Sequence, residues 1–138
     1  MRTLSIFFSL FVLYGCADQI TATQPQAANQ VVHRGVHSGA KARFDYFYSV
    51  AVTCEITGYP EVIIVRTPSH GTATIEKRDD YPSFNRDNVR SDCNKKLVGT
   101  MQIFYESKPD FHGHDAFTIK VIYPDSNIRT IPYVVEVL

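Results

Sequence analysis

The chain has 138 residues, 14 basic and 14 acidic side chains, and a formal net charge of zero. That length accommodates one domain rather than two, and the neutral balance argues against nucleic acid and against a polybasic membrane patch, both of which need an excess of positive charge on one face. Val, Ile, Thr, Tyr and Phe dominate after residue 30, which is the composition of a β protein.

Residues 1–15 have the layout of a secretory signal: Arg2 at the start, an apolar run over residues 4–13, and a small residue, Gly15, at the exit. The run is too short to cross a bilayer as a helix, which takes roughly 20 apolar residues. Leu13-Tyr14-Gly15-Cys16 resembles a bacterial lipobox, in which the Cys becomes the lipidated first residue of the mature chain. Tyr14 departs from that pattern, since a small residue is usual there. The resemblance implies lipidation at Cys16 and a membrane anchor that does not span. Ala17 after the Cys resembles the sorting signal of an outer-membrane lipoprotein. The expected location is therefore the bacterial cell envelope, facing the periplasm or the surface.

Residues 16–30 read as the lipidated Cys and a flexible tether, because the stretch is rich in Gln, Ala and Thr and has no apolar period. Residues 31–138 read as the folded domain. The chain has three Cys. Lipidation of Cys16 leaves Cys54 and Cys93 as a pair, and an exported domain sits where disulfides persist. A Cys54–Cys93 disulfide is expected; two buried free thiols are the alternative. No CxxC or close Cys/His spacing points to a metal site.

The domain reads as strands separated by turns. Residues 31–36 suggest a first strand. Residues 43–55 (RFDYFYSVAVTCE) give the strongest signal, with Phe44, Tyr46, Tyr48, Val50, Val52 and Cys54 in one phase; period-two patterning predicts that this phase faces the core. Further strands are expected over 61–67, 72–76, 97–106, 115–123 and 128–138, with turns at 57–60, 68–71, 107–114 and 124–127. Gly71 is expected to use its freedom for a positive φ. Pro132 predicts an edge strand or a bulge. About seven strands at these spacings predict an all-β fold, an Ig-like antiparallel β-sandwich.

Residues 77–96 (KRDDYPSFNRDNVRSDCNKK) are polar and have no period, so they predict a long loop, a feature that is usually functional or disordered. Arg78, Tyr81, Phe84, Arg86 and Arg90 make this loop the candidate partner-binding segment, because aromatics and Arg are enriched at binding hot spots. The plainer alternative has Tyr81 and Phe84 folding back as a lid over the end of the domain.

Two segments carry a wider resemblance. Residues 66–75 hold Pro68-Ser69-His70-Gly71-Thr72, and residues 103–121 hold Tyr105, Pro109, and then Phe111-His112-Gly113-His114-Asp115-Ala116-Phe117. In order and spacing these resemble bacterial Ig-like and cadherin-like surface modules. The resemblance covers roughly residues 60–123 and implies a sandwich with cell-surface context. It implies turn-forming roles for Gly71 and Gly113, core roles for Phe111 and Phe117, and a turn-capping role for Asp115. It implies little about activity. The single module, the Cys pair and the long polar loop depart from that family's pattern.

Other constellations are weaker. His112 and His114 with a carboxylate such as Asp110 or Asp115 have the donor types for zinc or copper, but a closed site needs a third and fourth ligand, and His70 is the only obvious donor from elsewhere. Asp79, Asp80, Asp87 and Asp92 resemble calcium donors only in type, and Arg78, Arg86 and Arg90 interleave with them, which suits a solvated mixed-charge loop. No GxSxG is present, and Ser69 beside His70 is not a triad. No cofactor, no metal and no catalytic residue is therefore assigned. The functional expectation is a non-enzymatic envelope lipoprotein that binds a protein partner, as an accessory subunit of a secretion- or pilus-type assembly or as an adhesion module. The alternative is an inhibitor or immunity-type lipoprotein blocking a periplasmic hydrolase. No small-molecule substrate is expected.

Overall fold

The computed structural model describes residues 30–138. The expected signal, Cys16 and the tether up to residue 29 lie outside the described residues. Among the described residues the strands are β1 (Val32–Val36), β2 (Lys41–Phe47), β3 (Glu61–Arg66), β4 (Gly71–Asp80), β5 (Val98–Ser107), β6 (Gly113–Ile122) and β7 (Ile128–Val137). A short 3-10 helix, Ser91–Lys95, precedes β5. The strands form two sheets, ordered β1-β7-β6-β3 and β2-β5-β4. This is the expected all-β sandwich of seven strands, with one difference of direction. β1 runs parallel to β7, while the other pairs are antiparallel. The turn after β1 carries the chain to the opposite sheet, so the direction of β1 is not set by a hairpin.

Alternation builds the core. Asp115, Phe117, Ile119 and Val121 are buried along β6 while the residues between them are not, as a strand with one face inward requires. Phe117 stacks on Tyr133 with ring centroids 4.7 Å apart, and Phe44 approaches Phe117 at 5.5 Å and Tyr105 at 5.5 Å. Both buried tyrosine hydroxyls are answered by carboxylates: Tyr105 donates to Asp115 Oδ2 at 2.9 Å and Tyr133 to Asp45 Oδ2 at 3.0 Å. A buried hydroxyl without a partner would be costly.

The expected strand over residues 43–55 is the main correction. β2 stops at Phe47, and its register with β5 shifts between Arg43 and Asp45. Phe44 sits at that bulge. An extra residue moves the side chains that follow it in β2 to the other face, so Phe44 and then Phe47 are buried while Tyr46 is only half-buried; past the end of β2, Tyr48 is half-buried, Val50 is buried and Val52 is exposed in a turn. Cys54 follows in a turn, with φ 69°.

Two smaller corrections concern Gly71 and Pro132. Gly71 is not at positive φ among the glycines that are. A Cβ there would lie 2.5 Å from the Tyr105 ring and 2.6 Å from the Glu106 carbonyl oxygen, so close approach is what the position demands. Gly113 does take a positive φ, 124°. Pro132 lies within β7, which has β6 on one side and β1 on the other. It is not on an edge strand, yet β1 begins pairing only at Tyr133, so Pro132 occupies a locally open stretch.

Candidate functional site

The two ends of the sandwich are built differently. At one end the β3–β4 turn meets β6 through Asp115. Its carboxylate accepts from the Ser69 N–H at 2.9 Å, the His70 N–H at 2.8 Å, the Ala116 N–H at 2.8 Å and the Tyr105 hydroxyl. Burial pushes the Asp115 carboxyl up, but these donors outweigh it and hold the group below the usual carboxylate range. Asp115 therefore caps the turn as expected. Burial and the neighbouring Asp115 charge push the Tyr105 hydroxyl far above its ordinary value. His70 stacks on Phe111 at 4.1 Å, and Phe111 is half-buried against the core. His112 and His114 are exposed. Among the described residues no cluster of three His, Cys, Asp or Glu is placed to hold a metal ion.

At the opposite end, the loop after β2 (48–60) and the loop after β4 (81–97) are joined. Cys54 and Cys93 form the expected disulfide, with Cα atoms 5.2 Å apart. Arg90 Nε donates to the Val50 carbonyl at 2.9 Å. Asn94 clamps the Phe84 backbone, accepting its N–H at 2.9 Å and donating to its carbonyl at 2.8 Å. The Ser83 N–H donates to the Tyr48 hydroxyl at 2.9 Å, and Phe84 lies edge-on to Tyr48 at 5.3 Å. A segment held by this many bonds is an ordered compact loop.

These bonds sort the five candidate binding residues. Arg78 is not in a loop: it lies on β4, opposite Thr100, because β4 continues past the expected end at residue 76. Its guanidinium bonds Glu76 at 2.5 Å and sits over the Phe104 ring at 4.9 Å. Lys41 and Arg78 together hold the Glu76 carboxyl below its ordinary value. Arg90 turns inward and is structural. Phe84 folds back, as the lid alternative has it. Tyr81 does not: it is 51% exposed. Arg86 is exposed too. Further exposed apolar side chains in the same loop pair escaped the sequence reading, among them Val89 at 76%, Leu97 at 60% and Val52 at 59%. Val89 is a lone apolar residue in a polar run, and Val52 had the phase of a core residue, so neither carried a usable signal.

A second feature opens on the flank of the sandwich. A cleft of about 810 Å3 lies between β2 and β7, with Tyr46, Tyr48 and Phe84 on one wall and Arg129, Thr130 and Ile131 on the other. Tyr123 also reaches it; burial pushes its hydroxyl above the ordinary value, against the opposing pull of Arg129. Tyr46 reaches this cleft because the bulge at Phe44 takes it out of the core, and Tyr48 lies just past the end of β2.

No family model matches the chain, and no curated protein matches it. Among solved structures, that of amebosin in solution aligns over 80% of this chain and 90% of its own, at 16% identity and a TM-score of 0.45. A likeness so distant carries no argument about function.

Proposed function

We propose that the protein is a non-enzymatic lipoprotein of the bacterial cell envelope that binds a protein partner through the disulfide-joined loops at 48–60 and 81–97. One observation carries this reading. The loops are fixed by the Cys54–Cys93 bond and the Arg90 and Asn94 hydrogen bonds, yet they leave Tyr81, Val89 and Val52 exposed. Rigid loops with apolar and aromatic tips lose little entropy on binding, which is how preorganisation raises affinity. The best-buried carboxylate, Asp115, has its oxygens occupied by structural donors, which favours binding over acid–base chemistry. A lipid on Cys16 and the tether would present the domain at a membrane surface, as the lipobox resemblance implies.

An accessory subunit of an envelope assembly, or an adhesion module, is the first form of this reading. The rigidity of the loops also favours a second, a one-to-one inhibitor of a periplasmic hydrolase, because preformed loops suit a fixed active-site cleft. Both are tested by one experiment. The full chain is cross-linked in its own envelope and recovered beside a variant carrying Tyr81→Ser, Arg86→Ser and Val89→Ser. These side chains make no internal bond among the described residues, so the fold is kept; replacing residues from 79 onward would instead cut into β4. Partners lost in the variant support the loop surface, and a multi-subunit set or a single soluble enzyme decides between the two forms. Recovery unchanged in the variant sinks the loop surface.

A further inference from the structure

The described chain enters the domain at the stapled end. Gln30 lines the same cleft as Ser83 and Phe84 of the stapled loop. From there β1 leads away toward the other end, where the Ser38 N–H donates to the Leu138 carbonyl at 2.9 Å and the Gly39 N–H donates to Ser107 Oγ at 2.8 Å. Gln30 follows Cys16 by 14 residues, and a chain of that length spans at most about 50 Å. A lipid on Cys16 would therefore hold the stapled end nearest to the bilayer. To bring the Asp115 end there instead, the same residues would have to run back past a domain whose ten-residue strands are about 34 Å long.

The exposed apolar side chains have the same bias. Among the described residues, six of the eleven large exposed ones lie in the two stapled loops: Val52, Ile56, Tyr59, Tyr81, Val89 and Leu97. Val52, Val89 and Leu97 are the most exposed of the six, and none of the three lines the 810 Å3 cleft. They stand on loops fixed by the Cys54–Cys93 bond and by the Arg90 bond to Val50, so they are presented together. The two loops carry four basic residues (Arg86, Arg90, Lys95 and Lys96) and three acidic ones (Glu55, Asp87 and Asp92). With the charges so nearly balanced, a contact here is led by apolar side chains rather than by attraction to anionic lipid.

We propose that the stapled end rests on the lipid bilayer to which Cys16 anchors the chain, with Val52, Val89 and Leu97 entering its interfacial layer. This depends on the lipoprotein reading above and deepens it: a protein that binds these loops is then one that itself lies at the bilayer surface. The anchor makes the contact intramolecular, so a few apolar side chains of weak affinity are enough to populate it. Tyr81 suits the boundary, since its ring is apolar and its hydroxyl wet. Arg86 and Lys96 have stems long enough to keep their charges among the headgroups while neighbouring side chains go deeper.

The chain has no Trp, so a single introduced Trp reports its surroundings without background. The full lipidated chain carrying Val89→Trp is placed in phosphatidylcholine vesicles whose acyl chains bear bromine, beside the same chain carrying His112→Trp at the other end. Both positions are exposed, so both variants keep the fold. Trp itself favours interfaces, and His112→Trp carries that bias equally. Bromine should quench Val89→Trp at least threefold more than His112→Trp. Adding Val52→Ser and Leu97→Ser to Val89→Trp should lower its quenching at least twofold. Equal quenching of the two reporters overturns the lipid contact, and so does quenching that Val52→Ser and Leu97→Ser leave unmoved. Quenching abolished by salt overturns it as well, because the contact would then be one of charge. Emission that shifts to the blue only on vesicles carrying envelope proteins overturns the lipid contact and leaves the protein-binding loops standing. The mass of the mature chain reads the anchor separately: Cys16 without lipid removes the lipoprotein reading itself, whereas Cys16 with lipid and equal quenching removes only the contact.

Discussion

The two ends of this sandwich solve the same problem, how to hold polar turns on an apolar core, by different means. At the end formed by the β3–β4 and β5–β6 turns, a single buried carboxylate gathers three backbone N–H groups and a tyrosine hydroxyl. The Lys108 N–H adds a bond to the His70 carbonyl at 2.8 Å, and the Gly39 N–H adds one to Ser107 Oγ at 2.8 Å. At the opposite end the turns are longer, and a covalent bond with a few side-chain clamps does the holding. The first end turns the Asp115 carboxylate inward, and the side chains it leaves in solvent, such as Lys108, His112 and His114, are polar. The second keeps its backbone fixed while side chains such as Tyr81 and Val89 stand in solvent. A site can be displayed only where the fold does not use the same side chains for itself, and that is the second end.

The largest effect should come from the first end. Asp115→Asn places an amide N–H2 against backbone donors that need an acceptor, and the expected loss is about 3–5 kcal/mol in urea unfolding. The sign with pH follows from the lowered pKa. A carboxylate whose folded pKa lies below its unfolded value stabilises fully above the ordinary range near about 4, and that contribution disappears as pH falls through the folded value. The parent should therefore lose stability steeply below about pH 4, and Asp115→Asn should flatten that slope. An acid profile unchanged by the substitution would show that this end is not organised by Asp115.

Next comes the covalent bond of the other end. Its Cys residues are 39 apart in sequence. Closing a loop of that length stabilises by roughly 3–4 kcal/mol in the chain-entropy account. Cys54→Ser with Cys93→Ser should cost about 2–4 kcal/mol. Amide exchange should then rise first at 48–56 and 81–97, while the Ser69 and His70 amides stay protected until global unfolding. Simultaneous loss at both ends would mean that the ends are not separable units.

What the sequence shows of each end follows the same division. The Asp115 end was legible, because its parts are short-range and typed: a Pro-x-x-Gly turn, a Phe-x-Gly-x-Asp-x-Phe run, and period-two burial through Phe117, Ile119 and Val121. The disulfide was legible from the count of Cys residues. The stapled end was not, for a physical reason. A bulge leaves no composition signature, so the shift at Phe44 was invisible, and with it the fate of Tyr46; the end of β2 at Phe47, which leaves Val52 in a turn, was invisible too. Arg78 and Arg90 look alike in sequence, yet one extends β4 and the other reaches the Val50 carbonyl. Their partners lie 2 and 40 residues away respectively, and the second pairing exists only once the two loops are side by side. That β1 pairs, among the described residues, only with Tyr133–Val137 of β7 was equally hidden, since it depends on where β1 begins.

A smaller change sharpens the view of the second end as a clamped loop. Asn94→Ala removes both bonds to the Phe84 backbone, and the expected cost is about 1–2 kcal/mol. Phe84 should then leave Tyr48, and the change should be visible as faster exchange at the Phe84 amide with the disulfide intact. If the thermal midpoint and that exchange rate both stay as in the parent, the disulfide alone holds the loop.

The smallest expected effect on folding is the most informative for function. Tyr81, Arg86 and Val89 are exposed, and their side chains make no hydrogen bond or ion pair among the described residues. Substituting each by Ser should change stability by no more than about 0.5 kcal/mol, as for surface positions away from caps and cores. A melt unchanged beside a lost partner would separate display from scaffolding within one loop, with Arg90 and Asn94 on the scaffold side. A clear destabilisation by Val89→Ser would reverse that assignment: Val89 would then be covered in solution by part of this chain, and the second end would display Tyr81, Arg86 and Val52 without it.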